Sequence, residues 1–172
     1  MTIEIVNYSK IKPQIENFSK ERYIDRSYME KEWKDVWKKT WLLAGLESDL
    51  KKPGDFFVFD MGREQILVTK MENSQNQGFF NVCQHRGNRL VNEDRGHAAN
   101  FRCSYHAWTY NLDGQLVGAA YMDRTSCFNK SDIQLPAIRC EEYLGWIYVC
   151  LDPDVAPVAD MLAELTEKLL AY

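Results

Sequence analysis

The chain has 172 residues, 45% of them hydrophobic and 27% charged, and a formal net charge of −4. That is enough for one domain with its own core, with or without a terminal appendage, and the mix is that of a soluble globular protein. The acidic balance gives no electrostatic support to a nucleic-acid partner. The longest apolar runs, such as LGWIYVCL at 144–151, are far too short to span a membrane. MTIEIVNYSK lacks the basic start and apolar run of a signal peptide, so the expected location is the cytoplasm. Thiols stay reduced there, and an odd count of five cysteines forbids complete internal pairing.

In chain order, residues 1–24 read as a polar arm. Ser27 and Glu30 have capping-box spacing and predict a helix start. Met29, Trp33, Val36 or Trp37, and Thr40 follow on one apolar face. Glu30/Lys34, Lys31/Asp35 and Asp35/Lys39 are opposite charges at i,i+4 on the wet side. From Trp41 the texture turns to β. WLLAGL is an apolar run, KKPGD a turn, and FFVFDM and QILVTK are strands around Gly62-Arg63. GFFNVC is a further strand. AWTYNLDGQLVGA predicts two strands around Asp113-Gly114, the strongest short hairpin signal in the chain. AIRCEEYLGWIYVCL gives a final pair. Many short strands with regular turns imply a mostly β fold, an antiparallel sandwich or small barrel. DPDVAP closes the region, and Val158, Met161, Leu162, Leu165 and Leu169 mark an amphipathic helix running to the last residues.

One pattern stands out. Cys83-x-His85 is followed by seventeen residues and then Cys103-x-x-His106. Thiolates with imidazoles select zinc, copper or iron-sulfur centres. Both pairs follow strand-like runs, where loops are held by a sheet and can converge on one metal centre. Three readings compete: chance, a Cys2His2 structural zinc site, and a Rieske 2Fe-2S centre. Zinc knuckles usually place Cys with Cys and His with His, whereas here each pair is mixed. In a Rieske centre two Cys bind one iron and two His the other.

On these residues the chain resembles the N-terminal domain of the α subunit of Rieske non-haem iron ring-hydroxylating oxygenases. CQHRGNRL and CSYHAWTYNLDGQLVGA look like its two cluster loops. EWKDVWKKTWLLAGLESDLKKPGDFFVFDMGREQILVTK looks like the segment before them, and LPAIRCEEYLGWIYVCLDP like its closing strands. The resemblance implies a Rieske-type antiparallel β-sandwich with helices at both ends. It implies a 2Fe-2S cluster on Cys83, His85, Cys103 and His106, and one-electron transfer as the role. Respiratory Rieske proteins carry an extra Cys in each loop, joined as a disulfide; Asn88 and Tyr105 stand there. Trp108 stands where their sulfur-bonding Ser would be. Fewer hydrogen bonds to sulfur imply a potential near the low end of the Rieske range, about −150 mV.

The resemblance also implies a flavin reductase or ferredoxin as donor and a mononuclear Fe(II) site in a catalytic oxygenase domain as acceptor. It is compatible with a homotrimer for the intact protein. Such a second site takes two His and a carboxylate, but the chain has three histidines and the cluster takes two. The expected organisation is therefore an arm and helix at 1–40, the Rieske domain at 41–155, and a helix at 156–172 leading to an absent catalytic domain. A free-standing Rieske ferredoxin is the alternative, and a zinc-stabilised interaction module a more distant one. Outside the pattern, His97 reads as an exposed loop residue. Cys140 and Cys150 read as small core residues, and Cys127 as an exposed thiol. Arg86 is a loop anchor or a solvated charge. Tyr105 and Trp108 shield the cluster, line an electron path, or simply pack.

Overall fold

The structure, a computed structural model, describes residues 19–122 and 124–169. Most of the expected arm, and the last three residues of the expected C-terminal helix, lie outside the described residues. The chain divides into two units between Trp37 and Lys38.

In the first unit one helical turn, α1 (Glu21–Ile24), leads into α2 (Arg26–Glu32). Ser27 does not cap α2. Asp25 does, its carboxylate accepting the Ser27 amide at 2.7 Å. A carboxylate there satisfies an orphan N–H and also meets the positive end of the helix dipole. Beyond Glu32 the helix widens into a π turn over Trp33–Trp37. Thr40, expected on its apolar face, lies beyond that turn. Met29, Val36 and Trp37 remain about half exposed.

The second unit is the mostly β, two-sheet antiparallel architecture expected from the sequence. Its strands are β1 (Leu42–Leu46), β2 (Asp55–Asp60), β3 (Gln65–Lys70), β4 (Asn76–Phe80), β5 (Arg95–His97), β6 (Phe101–Arg102), β7 (Thr109–Tyr110), β8 (Leu116–Gly118), β9 (Ala137–Tyr143) and β10 (Trp146–Cys150). Seven form one sheet in the order β1-β10-β9-β4-β3-β2-β5, and β6-β7-β8 form a second. The strand period of two divides the core. Phe56, Leu67 and Phe79 point to the side that also holds Cys83, Cys103, Trp108 and Tyr110. Their neighbours Phe57, Ile66 and Val68 pack on the other side with Ile138, Ile147 and Val149. Ile66, Leu67 and Val68 are therefore all fully buried, which is why β3 reads as an unbroken apolar run rather than an alternation.

The turns follow their residues. β9 and β10 are joined by Leu144 and Gly145, with φ of 53° and 78°, the left-handed pair that a two-residue hairpin requires. Asp113-Gly114 does turn the chain between β7 and β8, but within a longer loop. The Asn111 amide donates to the Gln115 carbonyl, and the Asn111 side chain accepts the Gln115 amide. Gly114 is confined by its neighbour: a Cβ there would lie 2.6 Å from the Phe79 ring. The C-terminal helix is broken at Leu162 into α3 (Val158–Met161) and α4 (Ala163–Leu169). Val158 and Leu162 pack against Trp41, Tyr148 and Cys150, while Met161, Leu165 and Leu169 face outward.

Candidate metal centre

The two loops are copies of one backbone device. In the first, the Cys83 amide donates to the Asn88 carbonyl and the Gly87 amide to the Cys83 carbonyl. In the second, the Cys103 amide donates to the Trp108 carbonyl and the Ala107 amide to the Cys103 carbonyl. The residue four after each Cys is left-handed, with φ of 71° at Gly87 and 57° at Ala107. Each Cys thus opens a tight, self-bonded knuckle. Only the His offset differs: two residues after Cys83, three after Cys103. That offset is the asymmetry of the sequence pattern, C-x-H against C-x-x-H.

The base of the first loop is closed by Asn81, which the sequence reading did not single out. It is 5% exposed, accepts the Val91 amide on Oδ1 and donates to the Val91 carbonyl from Nδ2. A buried amide with both ends satisfied stabilises the loop neck, where an apolar residue would strand two backbone groups.

Among the described residues these knuckles bring together the four expected side chains and no other Cys or His. Cys83 and Cys103 are buried and free in one core. The His85 and His106 rings meet edge to face with centroids 4.8 Å apart. Thiol is thus paired with thiol and imidazole with imidazole. A Cys2His2 zinc set needs four-fold convergence; a 2Fe-2S centre with two ligands per iron needs two pairs. His106 Nδ1 is buried with no hydrogen-bond partner, the condition of a nitrogen whose partner is a metal. The residues fit the cluster.

Their environment suits ligation. Burial pushes the Cys83 thiol up, opposed by hydrogen bonds from Tyr110 and the His85 amide and reinforced by Cys103. Burial pushes His85 down, helped by His106 and Arg86, the direction that favours the neutral form a metal ligand needs. Two aromatics flank the histidines. Trp108, 4% exposed, stacks on His85 at 4.6 Å and 14°. Tyr105, 56% exposed, covers His106 at 3.8 Å, with the Arg86 guanidinium 5.8 Å above its ring. Tyr110 was missed by the sequence reading. Its hydroxyl is 3.4 Å from Cys83 Sγ and accepts the Gln84 amide at 3.0 Å. Asn88 Nδ2 lies 3.8 Å from Cys103 Sγ. Each of the two cysteine sulfurs therefore has a side-chain partner.

The other candidates lie elsewhere. His97 is not in a loop: it is exposed on β5, opposite Asp55, its Nδ1 2.9 Å from the Asp55 carboxylate. Cys127 is exposed, Cys150 buried, and Cys140 half-buried in the second core. Burial raises the Cys140 thiol to about 12, with Glu141 and Glu142 adding to it.

The fold and the paired Cys and His side chains point to a class, and comparison agrees. The family described as the Rieske [2Fe-2S] domain matches residues 40–129, so the chain belongs to that family. Its similarity runs with the N-terminal part of oxygenase α subunits. It is 34% identical over 143 residues to the benzene 1,2-dioxygenase subunit alpha of Pseudomonas putida, covering 83% of this chain and 32% of that one. It is 33% identical over 149 residues to the carnitine monooxygenase oxygenase subunit of Escherichia coli (strain K12), covering 86% and 40%. The apo structure of a quaternary ammonium Rieske monooxygenase superposes with a TM-score of 0.83 at 31% identity, covering 88% of this chain and 44% of that one. Naphthalene 1,2-dioxygenase from Rhodococcus sp. gives 0.79 at 30%, covering 84% and 34%. The chain thus spans between about a third and two fifths of the length of these curated relatives.

Proposed function

We propose that Cys83, His85, Cys103 and His106 hold a Rieske 2Fe-2S cluster. On this reading the chain is the electron-accepting domain of an oxygenase terminal component. The observation that carries it is the pairing of buried thiols and facing imidazoles within a matched Rieske domain. When bound, such a cluster supplies a reversible one-electron step. The chain's residues do the rest. Cys83 and Cys103 bind as thiolates in a core that excludes water. His85 and His106 bind as neutral imidazoles, with Trp108 closing the inner side. A recess lined by His85, Tyr105, His106, Trp108, Tyr121 and Met122 leaves the imidazole side reachable from solvent.

Electrons arrive from a flavin reductase or ferredoxin and leave for a mononuclear non-haem iron in a catalytic domain. Residues 156–172 lead toward that domain, beyond the Rieske domain at 41–155 and the arm and helix at 1–40. Among the described residues no helix is long and apolar enough to cross a membrane, and a cytoplasmic setting suits the reduced thiols. The relatives include a dioxygenase named for benzene and a monooxygenase named for carnitine, and either chemistry is compatible with this electron-transfer role. The expected potential lies toward the low end of the Rieske range, about −150 mV, and a value well above zero would overturn that expectation.

The test is low-temperature EPR on anaerobically expressed, dithionite-reduced protein, with iron and sulfide counted on the same sample. A reduced-cluster signal with about two irons and two sulfides per chain supports the reading. Its loss in Cys83→Ser and His106→Cys assigns the ligands. Bound zinc without a signal rejects it.

A further inference from the structure

Position five of each knuckle does two jobs. Its carbonyl accepts the Cys amide of its own loop, as already described for Asn88 and Trp108. Its side chain crosses to the other loop. Asn88 reaches the opposite cysteine, Nδ2 to Cys103 Sγ at 3.8 Å. Trp108 reaches the opposite histidine, its ring lying nearly parallel on His85. The two residues are equivalent in the repeated backbone, so the crossing is reciprocal: each loop holds one ligand of the other.

The two arms differ in strength. The Asn88–sulfur contact is long, and Asn88 Nδ2 also donates to the Arg89 carbonyl at 2.8 Å. The Trp108 contact is a stacked ring face, and the indole has a second aromatic neighbour. Phe128 packs on it with centroids 5.7 Å apart, and Trp108 is buried in the core that holds Cys83, Cys103 and Tyr110. His85 thus stacks on a buried indole and meets the His106 ring edge to face. Among the described residues no carboxylate or carbonyl accepts a hydrogen bond from its ring nitrogens, the contact that usually orients a metal-bound imidazole. Stacking is left to fix its plane.

We propose that Trp108 is a positioning residue for the cluster: it sets the ring plane of His85, and so the orientation of one imidazole on the histidine-bound iron. This rests on the reading of the four residues as cluster ligands. The imidazole orientation bears on the electronic structure of the iron that holds the transferred electron, so it has signatures that core packing alone lacks.

The test uses the full chain with its cluster, in wild type, Trp108→Phe, Trp108→Leu and, as a packing control, Phe56→Leu. Phe56 is buried in the same core and packs on Phe101 rather than on a histidine. Three quantities are read: EPR g values, reduction potential, and the rate of cluster loss to an iron chelator. Trp108→Leu should shift the g values and the potential and lose its cluster about 10-fold faster, the size of effect that outer partners of metal ligands have. Trp108→Phe, which keeps a flat face, should stay close to wild type. Phe56→Leu should lower the melting temperature without moving g values or potential. If Trp108→Leu does not fold, Trp108→Met, an unbranched side chain that adapts to irregular gaps but has no planar face, carries the same expectation. Wild-type g values and potential in the Leu or Met variant, or shifts of equal size in Phe56→Leu, would overturn the proposal. A wild-type protein with zinc or no cluster would instead overturn the ligand assignment beneath it.

Discussion

The Tyr110 hydroxyl has two neighbours and one proton. Its oxygen already accepts the Gln84 amide, so the proton is free for Cys83 Sγ. A hydrogen bond to a ligand sulfur strengthens as the cluster gains negative charge on reduction, and so raises the potential. If that gain is about 1 kcal/mol, Tyr110→Phe lowers the potential by about 40 mV. A redox titration of the variant checks this, and an unchanged potential would show that the hydroxyl serves the backbone alone. At the same scale, Gly87 and Ala107 occupy one backbone position with one handedness. A Cβ on Gly87 meets nothing within 4 Å, so Gly87→Ala carries only the backbone cost, about 1 kcal/mol. Ala107 shows that the knuckle tolerates it. Urea melts measure the difference, and a loss several times larger would mean the loop cannot accept a side chain. The four candidate ligands stand out in the sequence because they are rare types at fixed spacing. Tyr110, Asn81 and the crossing of Trp108 do not, because each acts on residues 10 to 27 positions away through contacts that no local pattern encodes.

At the scale of elements, strands with apolar character were readable and the short edge strand was not. β5 is Arg-Gly-His, exposed along its length and without alternation, so nothing in it signals a strand. It exists because β2 offers an open edge, and it is held there by Asp55. That carboxylate accepts the Lys51 and Lys52 amides of the preceding turn at 2.9 and 3.0 Å and meets His97 at 2.9 Å. Burial works against its charge, but the two amides and His97 outweigh it and hold its pKa below the ordinary value. A carboxyl depressed in the folded state contributes stability above its unfolded pKa of about 3.9, and that contribution is lost as pH falls through the folded pKa. Asp55→Asn is therefore expected to be less stable than wild type by about 1 kcal/mol at pH 7. The gap should close in more acid solution, as the wild-type carboxyl takes up its proton. Paired urea melts at pH 7, 5 and 3 follow it; a gap that persists at pH 3 would assign the loss to shape rather than charge.

At the scale of the whole second unit, the C-terminal segment is tied to the sheet by Arg139 on β9. Its guanidinium donates to the carbonyls of Pro153 and Val155 at 3.1 and 3.0 Å and pairs with Glu141. Glu141 uses its other oxygen to accept the Val158 amide at the start of α3. The Trp41 ring lies 5.5 Å from the guanidinium, and its indole N–H donates to Ala156. The sequence showed the turn residues and the amphipathic helix but not this tie, since a lone Arg in a strand reads as a solvated charge. Arg139→Ala removes three hydrogen bonds and leaves Glu141 without its cation, an expected cost of about 2–3 kcal/mol. Arg139→Lys should recover only part of it, because an ammonium cannot reproduce the fork that reaches three acceptors. The residues around this tie belong to a different core from the cluster loops, and sites without shared partners act additively. Arg139→Ala should therefore lower the unfolding midpoint while leaving the EPR signal and potential of the folded, cluster-loaded protein unchanged. Denaturant melts and a redox titration on one preparation test both halves. A shifted potential would mean that the C-terminal segment is coupled to the two knuckles through the sheet.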